Sequence, residues 1–296
     1  MLQQAIDFHD ESLALHAILA PLEESALATP TGFKQWTPND IVAHLHFFNE
    51  VADLSLTDEA AFARRYGEMA ALRKQGMSMR EATDRLLDGV SGHALLARWE
   101  GFLAPMSARW AAADPKRRVK WVGPSMSVLS SISARLMETW AHGQAVYDQL
   151  GLDRVDTDRI RSVAVMGVNT FEWTFRNRGF DVPVARPAVR LVAPSGAAWD
   201  WPAASQDAAA PAVAASAASA VAAVAAVAAE SNDVIEGSAT EFCQVVTQVR
   251  NIGDTALRVH GPIARQWMSF AQCFAGPPED PPAVGLRRVA TLARRP

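Results

Sequence analysis

Residues 135–143 read Arg135-Leu136-Met137-Glu138-Thr139-Trp140-Ala141-His142-Gly143, in a segment with the pattern of a helix. A helix stacks residues i and i+4 one turn apart, so the Glu138 carboxylate and the His142 imidazole can converge on one point. Arg135 lies along nearly the same face. Three ionisable groups turned into a helical interior need partners, or a metal, to offset their desolvation.

A third donor comes from far upstream. Trp36-Thr37-Pro38-Asn39-Asp40 reads as a helix start, with Thr37 as N-cap, Pro38 as first helical residue and Asp40 as acidic N3. Ile41, His44, Leu45, Phe48 and Ala52 then follow at helical spacing, so His44 points with the apolar stripe and His46, some 200° round, does not. His44, Glu138 and His142 supply two nitrogens and one oxygen, the protein ligand set of an open catalytic zinc site. Spacing alone also allows a surface Glu–His pair and a core histidine bonded to a carbonyl.

Around these segments the first half is helical. Helices are predicted from Phe8 to Ser25, from Thr37 through Ala52, and from Asp58 to Lys74. A long helix follows from Arg80 to Trp110, kinked near Gly92 or Pro105, and another runs from Ser125 to Leu150, ended by Gly151. Asp156 to Arg178 reads as one more helix closing or bridging a bundle. The expected first domain is therefore residues 1–180, a four-helix bundle whose interior is a common place for metal sites. From residue 185 strands interleave with helices: Val189–Val192, Trp199–Trp201, Asp233–Gly237 and Leu257–His260, with helices Ala239–Arg250 and Pro262–Phe274. Residues 185–296 are thus expected to form a small α+β domain carrying an Ala-rich insertion at 207–230. That insertion has 22 uncharged residues from Ala208 to Ala229. It mimics a membrane span in length, but its alanine content and missing basic anchors identify a partly helical low-complexity segment.

Trp36-Thr37-Pro38, with His44 on the same helix, and the nine-residue run from Arg135 to Gly143 resemble the maleylpyruvate isomerase-like, or DinB-like, metal-binding superfamily. They are most similar to a subgroup with a Met-Glu-Thr-Trp-Ala-His-Gly signature. Glu241–Gln248 and Ala271–Pro278 are similar to the tail of that subgroup, so the resemblance spans roughly residues 8–280. It implies a DinB-like four-helix bundle followed by a sterol-carrier-like α+β domain. It also implies a divalent metal, typically zinc, on His44, Glu138 and His142, and a low-molecular-weight thiol such as mycothiol or glutathione. In the related isomerases the thiol adds to an activated double bond, rotation follows, and the thiol leaves. The implied activity is thiol-dependent isomerisation or transfer on a small, carboxylated electrophile. Arg135 is the candidate for supporting the metal ligands or holding a substrate anion. Arg250 is a second candidate, because the mycothiol-dependent isomerases place an arginine near this point. The subgroup has two consecutive basic residues there, whereas here Val249 precedes Arg250.

The remaining composition bounds the alternatives. A net charge of −4 over 296 residues gives no electrostatic footprint for nucleic acid, and the basic end around Arg287, Arg288, Arg294 and Arg295 reads as a solvated tail. The two cysteines, Cys243 and Cys273, sit in apolar patterns without basic neighbours and read as buried free thiols. The start of the chain lacks the pattern of a signal peptide, so a cytoplasmic protein is expected, with a small-molecule substrate, no membrane partner, and a homodimer as the candidate assembly. Two other functions remain open: a non-catalytic metal and small-ligand binding protein, and a metal-dependent hydrolase, for which no general base is identified.

Overall fold

The computed structural model describes residues 1–205 and 233–287 and falls into two compact units, Met1–Arg154 and Val155–Arg288. The Ala-rich insertion and all but the first residues of the basic tail lie outside the described residues.

The first unit contains helices α1 (Gln3–Leu19), α2 (Glu24–Leu27), α3 (Pro38–Thr57), α4 (Glu59–Lys74), α5 (Met79–Leu86) and α6 (Gly92–Ala112). A two-stranded ladder of β1 (Arg118–Val119) and β2 (Met126–Ser127) leads into α7 (Val128–Leu150). The long helices pack pairwise, with α1 and α3 each set against both α6 and α7. Phe8, Phe47, Trp99, Trp110 and Trp140 are fully buried between them. Burying each such side chain contributes roughly 1.5–3 kcal/mol or more. One polar tie stands out: the Asp53 carboxylate on α3 accepts from the Arg109 guanidinium and from Trp110 Nε1, both on α6.

Several element boundaries differ from the sequence expectation for local reasons. The first helix begins at Gln3 and stops at Leu19: Ala20 keeps helical φ and ψ and bonds back to the His16 carbonyl, but Pro21 has no N–H with which to continue the ladder. The expected helix over residues 80–110 is two helices, broken where Asp88 and Gly89 both take left-handed backbone. Both residue types tolerate that conformation. Pro105 is accommodated inside α6. The last long helix starts at Val128, where the Ser127 side chain accepts from the Ser130 N–H. It ends at a left-handed Gly151, as expected.

The second unit opens with a 3₁₀ turn, Asp158–Ile160, then α8 (Arg161–Asn169) and α9 (Phe171–Asn177). Thr170 divides these helices, its hydroxyl donating back to the Met166 and Gly167 carbonyls. The sequence reading placed this stretch with the bundle and began the second domain near residue 185. The compact units instead part between residues 154 and 155. Strands β3 (Ala185–Arg186) and β6 (Ala204–Ser205) pair with each other. Strands β4 (Ala188–Val192), β5 (Ala198–Trp201), β7 (Val234–Ser238) and β8 (Arg258–His260) form a sheet of order β5-β4-β7-β8, parallel only between β4 and β7. Helices α10 (Ala239–Val246) and α11 (Pro262–Phe270) follow the last two strands. Helix α10 stops short of the expected Arg250, since Gln248 turns to a φ of 57°. Cys273 likewise lies beyond α11 rather than within it. Neither cysteine is in a disulfide and both are buried, and burial pushes the Cys243 thiol well above its usual range.

No described helix is long and apolar enough to cross a membrane.

Candidate metal centre

Two helix starts place the donors. The Thr37 hydroxyl accepts from the Asp40 N–H at 3.1 Å while the Asp40 carboxylate accepts from the Thr37 N–H at 2.8 Å, so α3 begins at a fixed residue. Such a cap is worth about 1 kcal/mol. His44 follows on the face of α3 that meets α7. Glu138 and His142 stand one turn apart near the middle of α7 and face it.

Side chains 94 residues apart thus come together. His44 Nε2 lies 3.3 Å from Glu138 Oε2, and His142 Nε2 lies 3.1 Å from the same oxygen. All three donor atoms fall within 4.8 Å of one another, the one such group of three or more metal-ligating side chains among the described residues. Ligands at about 2.0–2.1 Å from a tetrahedral zinc are about 3.3 Å apart, so the two nitrogen–oxygen spacings already match two edges of that polyhedron. The three side chains are 13–23% exposed, so the cluster is neither sealed in the core nor spread on the open surface.

Protonation states favour a cation. Burial pushes the His44 imidazole down to about 4, against the pull of its hydrogen bond to Glu138. Burial works to raise the Glu138 carboxyl, but hydrogen bonds from His142 and His44 and the charge of Arg135 together hold it well below the usual carboxylate range. At neutral pH the cluster therefore presents a neutral His44 and an ionised Glu138, the forms in which these groups bind metal.

Arg135 sits beside the cluster with Nη2 3.8 Å from Glu138 Oε2. It is 3% exposed, and its Nε and Nη1 meet no hydrogen-bond partner in the protein. Burial lowers its guanidinium from the ordinary value, Glu138 opposing. The guanidinium lies 5.9 Å from the ring centres of both Phe48 and Trp121, and these contacts offset part of the desolvation.

Rings crowd the imidazoles. Trp36 stacks on His142 at 5.6 Å with planes 3° apart and meets His44 edge-on at 5.3 Å. Phe33 is edge-on to His142 at 5.0 Å, and Phe48 is tilted against His44 at 4.8 Å. Sequence reasoning quoted Trp36 and Phe48 but gave neither a role at the site, and it passed over Phe33 and Trp121. Phe48 had an available signal, its position one helical turn after His44. Phe33 and Trp121 lie in irregular segments with no periodicity to place them.

The other sequence candidates lie elsewhere. His46 turns away, as its helical phase predicts, with Nε2 3.2 Å from Glu50 and its ring against Phe102. Trp140, which falls between Glu138 and His142 in sequence, is fully buried beneath the Arg154 guanidinium. Arg250 belongs to the second unit, where it is buried and donates to the Val249 carbonyl at 2.9 Å. Val249 and Arg250 both lie beyond the end of α10.

Comparison with known proteins matches residues 8–147, the segment holding His44, Arg135, Glu138 and His142, to the family described as Mycothiol maleylpyruvate isomerase N-terminal domain. Two proteins of Mycobacterium tuberculosis are each 35% identical over 272 residues, covering 92% of this chain and 95% of their own length. They are Uncharacterized protein Rv0036c (strain ATCC 25618 / H37Rv) and Uncharacterized protein MT0041 (strain CDC 1551 / Oshkosh). The crystal structure of the mycothiol-dependent maleylpyruvate isomerase aligns with 88% of this chain and 94% of its own at 14% identity and a TM-score of 0.49, a likeness too loose to carry an argument.

Proposed function

The chain belongs to the maleylpyruvate isomerase-like superfamily, and from that premise we propose that it is a metal-dependent enzyme using a low-molecular-weight thiol to isomerise or modify a small electrophile. One observation carries this: His44 Nε2 and His142 Nε2 meet the same Glu138 oxygen at 3.3 and 3.1 Å, in a cluster that keeps partial solvent exposure. The donor set, two imidazoles and a carboxylate, suits zinc. A zinc ion held there would supply the Lewis acidity that makes a thiol at the open position ionise near neutral pH.

The residues of the chain do the rest. Glu138 contributes negative charge to the ligand set, which keeps sulfur at the open position more nucleophilic than an all-histidine set would. Arg135, charged and beside the cluster, is the group proposed to hold a substrate anion. Arg250 is carried as the holder of a substrate carboxylate on the family resemblance alone. The first unit is read as the DinB-like bundle, the second as the sterol-carrier-like domain, and the cytoplasm as the place of action.

The test is metal analysis of full-length protein purified from metal-sufficient cells without chelator, beside His142→Ala. Thiol-dependent turnover is then assayed with mycothiol and with glutathione on carboxylated, activated alkenes. One divalent ion per chain, lost in the variant together with turnover, is the expected result. Wild-type protein without metal would overturn the proposal.

A further inference from the structure

A ligating imidazole ordinarily donates its second ring N–H to a carboxylate or carbonyl, and that bond fixes the tilt of the ring. His44 departs from this arrangement. Its Nδ1 is buried and meets no hydrogen-bond partner in the protein. The torsion that turns an imidazole about its own axis is broad, so without such a bond the ring needs another constraint. The constraint available is aromatic: Phe48 and Trp36 bracket His44, and Trp36 and Phe33 bracket His142. Trp36 touches both imidazoles.

The segment presenting Phe33 and Trp36 is itself unusual. The Trp36 N–H bonds to the Phe33 carbonyl at 2.8 Å, closing a four-residue turn, and the Thr31 N–H bonds to the Trp36 carbonyl at 2.7 Å. The two central residues, Lys34 and Gln35, have φ of 48° and 60°. Positive φ at both positions makes this a turn of the I′ kind, which favours Asn and Gly. Lys and Gln adopt it at a conformational cost, and such strain persists where the surroundings fix the geometry. Here the turn sets two rings against the imidazoles.

Resting on the reading of the cluster as a metal site, we propose that Phe33, Trp36 and Phe48 form an aromatic collar that sets the coordinating angles of His44 and His142, at His44 in place of a hydrogen-bonded support, with Trp36 as its central member. These are positioning residues. They contact the ligand rings and leave donor identity and charge unchanged, so their loss weakens coordination without removing it.

Cobalt(II), whose visible absorption reports coordination geometry, is the probe. It is titrated into metal-free full-length wild type, Trp36→Ala, Trp36→Phe and Phe48→Leu, with affinity measured against a chromophoric chelator and folding checked by circular dichroism. Trp36→Ala is expected to bind about tenfold or more weakly with an altered cobalt spectrum, and Trp36→Phe to recover most of the affinity and the wild-type band shape. Phe48→Leu leaves the turn intact, so it tests the collar independently if Trp36→Ala does not fold. It too should bind more weakly. Unchanged affinity and spectrum in a folded Trp36→Ala or Phe48→Leu would overturn the collar and leave the metal site standing. Failure of the wild type to bind cobalt would overturn the metal site, and the collar with it.

Discussion

Replacing Lys34-Gln35 with Asn-Gly should stabilise the metal-free protein. Both residues hold positive φ, and left-handed backbone costs a residue with a side chain roughly 1–2 kcal/mol. Relief of both positions therefore yields roughly 2–3 kcal/mol, somewhat short of the full sum because Asn keeps part of the cost. Glycine returns about 0.5–1 kcal/mol through the greater freedom of the unfolded chain. Removing the Lys34 ammonium from its place 5.5 Å over the Phe33 ring costs about 0.5 kcal/mol at this exposed site. The balance is a gain of about 0.5–2 kcal/mol, which for a unit of this size raises the melting midpoint by roughly 2–6 °C. Thermal and urea unfolding of chelator-treated protein, followed by tryptophan fluorescence, would measure it. Metal affinity should be unchanged, since Asn-Gly keeps the turn type. A midpoint that stays put or falls would show that the turn stores no strain, and the physical account of residues 33–36 would be wrong.

Acid should weaken the metal-free protein in a defined window. His44 is held at about 4 against an ordinary 6.5, so the unfolded chain takes up its proton first and stability drains away as pH falls from about 6.5 toward 4, by on the order of 3 kcal/mol. Glu138, held well below the usual carboxylate range, adds a further loss below its ordinary value of 4.5. Urea midpoints between pH 7.5 and 4 read this, and a flat profile above pH 5 would contradict the His44 assignment. Gly92→Ala should destabilise the first unit by about 1–2 kcal/mol through left-handed backbone alone. Gly92 has a φ of 61°, and an added Cβ would stand 1.9 Å from the Glu24 carboxylate, forcing that side chain off its bonds to His93. A melting midpoint equal to wild type would refute this.

What the sequence disclosed was local. Thr37, Pro38 and Asp40 announce a helix start because a cap needs only four neighbouring residues, and the phase of His44 and His46 then follows from helical geometry. The pairing of Glu138 with His142 is likewise a one-turn matter. Long-range and irregular features were hidden. Nothing in Lys34-Gln35 signals a left-handed turn, because neither residue is one that favours it. The full burial of Arg135 depends on Phe48 and Trp121, which reach it from another helix and from a loop. The halt of α10 at Val246 turns on the left-handed backbone of Gln248, which its residue type does not announce.

The shared oxygen of Glu138 joins two chain segments separated by 94 residues. An ion seated there would act as a reversible cross-link, binding the folded chain and having little to grip once the chain opens. At a free concentration a hundred times its dissociation constant, such an ion adds about 2.7 kcal/mol to folding stability. A gain of that size lowers the unfolded fraction about a hundredfold, and proteases in cells act largely on the unfolded fraction. Metal supply would then govern the lifetime of this protein as well as its chemistry, and starvation for the ion would clear the apoprotein from the cell.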